Sequence, residues 1–172
     1  LYTAKTYNIK YVSGKLLENN SVIPDFVART QSNVKFNSNF TPYSEKDNLF
    51  IYGYKLVGYE FSQSTINNMK AFLRAKGKTD EEITAQIEEW LQPFNNGLSD
   101  GAFIGEITYV IPLNIELVCK YERLEYTIYI EDKNSADFDI YYDKIDTINS
   151  SNTNYKVPAT KTENGYKIIT KY

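Results

Sequence analysis

The sequence predicts an α+β protein, mainly antiparallel β, in which a helical hairpin sits between two β stretches and a second, shorter β unit follows. Three observations carry this. Apolar and polar residues alternate in short runs on both sides of residues 64–92. Within that window the apolar period lengthens to that of a helix. Two Tyr-rich segments near the start recur in the same order after residue 124. At 172 residues and 42% hydrophobic content, the chain holds enough apolar material for one medium domain or two small ones. The expected division is 1–124, with the hairpin at 64–92, and 125–172.

Each element has its own signal. Tyr7, Ile9 and Tyr11 alternate with Asn8 and Lys10 as in a half-buried strand, and Ser13-Gly14 reads as the turn that ends it. Shorter strand candidates follow at Val22-Ile23, at Phe26 to Ala28, and around Val34 and Phe36. Lys35 to Asn48 is rich in Asn, Ser and Lys and reads as an exposed loop. Leu49 to Phe61 resumes β character, with Gly53 and Gly58 marking a turn or bulge. Ser64 or Thr65 can cap a helix whose stripe is Ile66, Met69, Phe72 and Leu73, ended by Lys76-Gly77. Thr79 and Glu82 form a capping-box pair for a second helix, with Ile83, Ile87, Trp90 and Leu91 as its stripe and Pro93 as its stop.

Strand character returns at Ile104 to Ile111, stopped by Pro112, and again at Ile115, Leu117, Cys119 and Tyr121. Tyr126, Ile128 and Ile130 alternate next. Glu131 to Asp146 is acidic, with six acids and two lysines, and Phe138, Ile140 and Tyr142 alternate inside it. Asn149 to Asn154 reads as a loop and Tyr166 to Tyr172 as a final strand. The echoes are Thr6-Tyr7-Asn8-Ile9-Lys10-Tyr11 with Glu125-Tyr126-Thr127-Ile128-Tyr129-Ile130, and Gly53-Tyr54-Lys55 with Gly165-Tyr166-Lys167. Their common order suggests a tandem repeat; the other reading is that Tyr-rich strands look alike by chance.

Composition removes whole classes of chemistry. There is no histidine and one cysteine, so His-based triads, Cys–His pairs, most zinc sites and an intrachain disulfide are excluded. A net charge of −3 gives no basic field for nucleic acid. No apolar run reaches the roughly 18–20 residues of a membrane span, so membrane insertion is not expected. Leu1 to Lys5 lack a start Met and an apolar leader core, which reads as a mature form or an excised piece of a longer chain.

The remaining candidates have plain structural readings. The acids Asp80, Glu81, Glu82, Glu88 and Glu89 occupy first-turn or solvent-facing helix positions, where the helix dipole and solubility account for them. They also make the second helix repel phosphate, against a DNA-binding helix-turn-helix. Glu131 to Asp139 has the composition of a calcium loop, but an EF-type loop needs glycine at its sixth position and Glu at its twelfth. Asp137 and Asp143 stand there instead, which leaves only a looser site of Asp132, Asp137 and Asp139, or a polar turn. Cys119, in phase with Ile115 and Leu117, reads as a small buried hydrophobe. Tyrosine is the residual signal, 16 of 26 aromatics. It offers rigid amphipathic contact area, so Tyr43, Tyr52, Tyr59, Tyr129, Tyr141 and Tyr142 are the candidate binding residues.

Several segments are similar to the Listeria–Bacteroides, or internalin B-type, surface repeats, and more loosely to mucin-binding repeats. Tyr126-Thr127-Ile128-Tyr129-Ile130 resembles the opening strand of such a repeat. Val157-Pro158-Ala159-Thr160-Lys161 and Gly165-Tyr166-Lys167-Ile168 resemble its Pro–Thr–Lys–Gly–Tyr segment. Gly53-Tyr54-Lys55-Leu56-Val57-Gly58-Tyr59 looks like the Gly-Tyr-x-x-x-Gly-Trp signature, and Asn114 to Tyr121 looks like the closing strand, each with Tyr for Trp. The first unit exceeds the repeat length, mainly through the hairpin. The resemblance implies a β-grasp-like unit carrying that hairpin as an insertion, with no catalytic residues to carry over; no cofactor or metal ligand is expected, the looser acidic site apart. It implies a non-enzymatic structural or adhesive module of an extracellular surface protein, acting as spacer and contact surface towards a protein or glycan surface. The alternatives are a virion component of a phage (fibre, collar or decoration subunit) contacting neighbouring subunits, and a carboxylate-based glycan hydrolase.

Overall fold

A computed structural model describes residues 1–124 in full. Beyond them it describes the strand backbones 126–130, 137–144, 153–162 and 165–168. The protein is α+β, with two helices and mostly antiparallel open sheets. It divides into a unit Leu1–Arg123 and a unit Leu124–Tyr172.

The first unit is organised by a four-stranded sheet of order β2-β1-β8-β4. It is built from β1 (Thr6–Leu16), β2 (Arg29–Lys35), β4 (Tyr54–Phe61) and β8 (Ile115–Arg123). β1 pairs antiparallel with β2 and parallel with β8, and β4 pairs antiparallel with β8. Two-residue strands β3 (Asn39–Phe40) and β7 (Ile107–Thr108) pair with each other, as do β5 (Leu98–Ser99) and β6 (Ala102–Phe103).

Strand β8 follows its alternation closely: Ile115, Leu117, Cys119 and Tyr121 are all buried. In β1 the alternation buries Ile9 and Tyr11 and then resets to bury Gly14 and Leu16. The reset is a bulge, since the pairing to β8 shifts between Tyr11 and Ser13. Contrary to the sequence expectation, Ser13-Gly14 is therefore not a turn, because the pairing with β8 carries β1 through it. A Cβ at Gly14 would come within 2.8 Å of the Phe26 ring, so the close approach of that ring requires glycine there. The chain turns instead beyond Leu16, with Asn20 at φ 58°. In β4 the register shifts between Leu56 and Gly58, and Gly53 takes φ 83° in the turn before it, the bulge and turn that those glycines predicted.

Helix α1 (Gln63–Ala75) starts directly after β4, and its N-cap is Ser62 rather than Ser64 or Thr65. All three residues are capable caps. The choice is tertiary: the Glu116 carboxylate of β8 accepts from the Ser62 and Ser64 hydroxyls at 3.0 and 2.6 Å. The Glu116 N–H donates to Thr65 Oγ1 at 2.8 Å, which stitches the helix start to the sheet. Helix α2 (Asp80–Asn96) has the predicted capping box of Thr79 and Glu82. It runs through Pro93, contrary to the predicted stop. Interior proline costs a helix roughly 3 kcal/mol. Continuing buries Phe94 against Phe40 and Tyr59, worth roughly 2–3 kcal/mol. It also brings Asn95 to the free edge of β4, where its amide accepts from Tyr59 N–H at 2.7 Å and donates to Tyr59 C=O at 3.1 Å. Together these outweigh the proline.

One continuous core joins the sheet to both helices: Ile9, Tyr11, Leu56, Tyr59, Leu117, Cys119 and Tyr121 meet Met69, Leu73, Ile83, Trp90 and Phe94. Other sequence expectations change. Leu49 and Ile51 are buried but lie in a loop, and Ile104 to Ile111 contains only the two-residue β7. Phe26 to Ala28 is not a strand, and Val22 makes a single bridge to Lys15. The exposed loop expected at Lys35 to Asn48 holds β3 and a one-turn 3₁₀ segment at Glu45–Asp47.

The second unit is an antiparallel meander of order β12-β11-β10-β9, built from β9 (Tyr126–Ile130), β10 (Asp137–Lys144), β11 (Thr153–Thr162) and β12 (Gly165–Ile168). Of the loop expected at Asn149 to Asn154, the last two residues, Thr153 and Asn154, belong to β11. The tandem-repeat expectation fails on topology. The echoed strands β1 and β4 both flank β8, and β1 does so in parallel. Their counterparts β9 and β12 are opposite edges of an all-antiparallel sheet. The echo reflects Tyr-rich alternation in strands, not a duplicated fold.

Candidate functional site

Four tyrosines of the first unit, Tyr11, Tyr59, Tyr109 and Tyr121, are at most 1% exposed. A buried phenol needs a partner for its hydroxyl. Each finds a loop or strand-end group. Tyr59 donates to the Tyr43 carbonyl and Tyr121 to the Leu49 carbonyl, both at 2.5 Å. Tyr109 donates to the Leu113 carbonyl at 2.6 Å. Tyr11 donates to Gln31 Oε1 at 2.9 Å and accepts from Tyr43 N–H at 2.8 Å. Burial pushes all four phenols above their ordinary titration range. It pushes the Cys119 thiol up as well, so this sulfur is an inert core atom.

Three of these hydroxyls hold one segment, residues 41–53, which links β3 to β4. Tyr43 is half-buried and stacks on Tyr11 at 5.4 Å and 16°. Ser44 and Asp47 close a capping box, and Asn48 takes φ 68° to end the turn. Glu45 Oε1 accepts from Leu56 N–H at 3.0 Å, and Glu45 N–H donates to Gly101 C=O at 3.1 Å. With this base secured, Leu49 and Ile51 point inward, 1% and 7% exposed, while Phe50 and Tyr52 lie at the surface, 36% and 84% exposed. The outer pair meets edge to face at 5.1 Å and 80°.

Beside Phe50 a cleft of about 250 Å³ is lined by Asp25, Phe26, Val27, Arg29, Glu45 and Asn48 together with Leu49, Phe50 and Ile51. Val27 is exposed, and Arg29 Nε is buried without a hydrogen-bond partner. Chemically, this is an aromatic and apolar face with a guanidinium and carboxylates at its margin. Such a surface suits contact, with a rigid ring pair for area and polar groups for orientation.

The six predicted tyrosines separate. Tyr52 is on this face, paired with Phe50, whereas Tyr43 is half-buried at the start of the same loop, stacked on Tyr11. Tyr59 is a core residue, fully buried, which corrects its assignment as a contact residue: its ring fills the space between Tyr11 and Phe94. Tyr129 is paired in register with Tyr141, and Tyr142 with Ile128, on β9 and β10; their side chains lie outside the described residues. Phe50, Phe26 and Arg29 were missed. The signal available for Phe50 was the run Leu49-Phe50-Ile51-Tyr52, four apolar residues that read as a strand but form a loop.

The helical acids Asp80, Glu81, Glu82, Glu88 and Glu89 are exposed on α2, and Glu82 is held below the usual carboxylate range by the Thr79 N–H. Glu116 is lowered by the serine hydroxyls. The calcium-type segment 131–136 lies outside the described residues, as do the side chains of Asp137 and Asp139. Among the described residues no cluster of three or more Cys, Asp or Glu could hold a metal ion, and no helix is long and apolar enough to cross a membrane. No family model, curated protein or solved structure matches the chain.

Proposed function

We propose that this protein is a non-enzymatic structural and adhesive module of an extracellular surface protein, a spacer that also presents a contact surface. The observation that carries this reading is the path of the chain through the first unit. β1 and β8, the first and last strands, lie side by side in parallel, so the chain comes in at one end of the sheet and leaves at the other. It then passes directly into a second β unit at residue 124. A unit that the chain traverses end to end suits a spacer. The strand order β2-β1-β8-β4 around a parallel central pair supports the finer reading of a β-grasp-like unit, with the helical hairpin inserted between β4 and β8.

The contact surface we assign to the first unit is Phe50 and Tyr52 on their clamped loop, facing a protein or glycan surface; Tyr129, Tyr141 and Tyr142 are the corresponding candidates of the second unit. Immunogold labelling of the producing cells tests the location. Gold on the outer face supports the reading, gold confined to the cytoplasm overturns it, and gold on virus particles selects a virion spacer instead. Binding of the purified chain to an array of glycans and surface proteins tests the contact. A hot-spot aromatic is worth about 2 kcal/mol, roughly thirtyfold in affinity. The double variant Phe50→Ser, Tyr52→Ser is expected to lose binding by at least that factor while keeping its melting temperature.

A further inference from the structure

We propose that the first unit is a load-bearing clamp that resists tension along the chain; this rests on the spacer reading above. The β1–β8 ladder has seven aligned pairs, from Ile9↔Ile115 to Leu16↔Tyr121. It is extended at one end by Asn8 N–H on Asn114 Oδ1 at 2.8 Å and at the other by Leu17 N–H on Tyr121 C=O at 2.8 Å. Because the strands are parallel, the start of β1 and the end of β8 lie at opposite ends of the ladder, roughly 30 Å apart at the rise of a strand. Tension drawn through Thr6 and Arg123 therefore pulls β1 and β8 past each other along their length. Every ladder bond is strained together, and none can open before the rest.

Two further features oppose sliding. Ile9, Tyr11, Ile115, Leu117, Cys119 and Tyr121 are all at most 2% exposed, so displacement by one residue drags six packed side chains out of their places. The bulge between Tyr11 and Ser13 matches one position on β8 only, and a slip would set it against regular pairing. β2 and β4 flank the pair on its outer sides, outside the line of force, and hold its edges closed.

The test is single-molecule pulling of the full chain through introduced cysteines, in two geometries. Attachment through Tyr2→Cys and Arg123→Cys loads the ladder lengthwise. Leu17→Cys with Arg123→Cys grips neighbouring strand ends on one side and peels it open. These positions are exposed, the native Cys119 is buried, and the second unit lies outside both spans. Forced unfolding reports the unfolding barrier, and the lengthwise geometry is expected to need at least about twofold more force than peeling at equal speed. Equal or lower force overturns the clamp. If a cysteine pair shifts the melting temperature, Leu1→Cys with Glu122→Cys, and Glu18→Cys with Glu122→Cys, repeat the comparison. The force ratio is a property of the fold, so a failed clamp leaves surface labelling intact, and a failed surface location leaves the ratio intact.

Discussion

A phenol differs from a phenyl ring by one hydroxyl, and in this core that atom fastens loops. Removing it from Tyr121 leaves the Leu49 carbonyl without its donor, and removing it from Tyr59 does the same to the Tyr43 carbonyl. Tyr121→Phe and Tyr59→Phe are each expected to cost roughly 1–3 kcal/mol, read from urea denaturation midpoints. Alkali probes the same groups together. The buried phenols hold their protons more tightly folded than unfolded, so their contribution is complete below about pH 10 and is lost as pH rises above it. The slope approaches roughly 1.4 kcal/mol per pH unit for each phenol. Absorbance titration of tyrosinate is expected to show these groups ionising only with cooperative unfolding; separate titration near pH 10 in the folded protein would contradict the burial argument. The abundance of tyrosine was visible in the sequence. Its division was not, because Tyr52 and Tyr59 each stand beside a glycine in a run that reads as strand, and only the fold puts the first in a loop and the second in β4.

At the scale of elements, period and caps made the hairpin legible, as at Thr79 and Glu82, whose bonds are local. The end of α2 was hidden because its reward is distant: Phe94 reaches the core and Asn95 reaches β4. Phe94→Ala is expected to cost about 3–5 kcal/mol by thermal or urea unfolding. Asn95→Ala strips both partners from the Tyr59 backbone and opens an edge strand. It should cost roughly 2 kcal/mol and also produce concentration-dependent association in light scattering, a second effect that Phe94→Ala lacks while folded. Gly97 shows another hidden constraint, since the Phe103 ring occupies the place of any Cβ there. Overpacking of this kind costs typically about 1–3 kcal/mol, the destabilisation expected of Gly97→Ala.

For the whole molecule, Leu1–Arg123 is a compact unit with a core of its own, running from Ile9 to Tyr121. Residues 1–124 are therefore expected to fold alone, with a cooperative melting transition and native near-ultraviolet dichroism from the packed tyrosines; a non-cooperative transition would refute this. The α+β class was readable from the two periods along the chain. The parallel pairing of β1 with β8 was not, because alternation says which face a strand buries and nothing about its neighbour. The same silence made two Tyr-rich stretches look like copies, although one is built around a parallel pair and the other is a meander.

The central pair also sets the order of events at birth. Asn8 and Asn114 are 106 residues apart, and at about 5–20 residues per second a ribosome needs roughly 5–20 s to travel from one to the other. Throughout that interval β1 has no β8, and the middle of the sheet cannot exist. Contacts this distant in sequence make folding slow even after release. The first unit thus stays open until β8 has been made, and for those seconds the apolar face of β1 has only what precedes residue 114 to cover it.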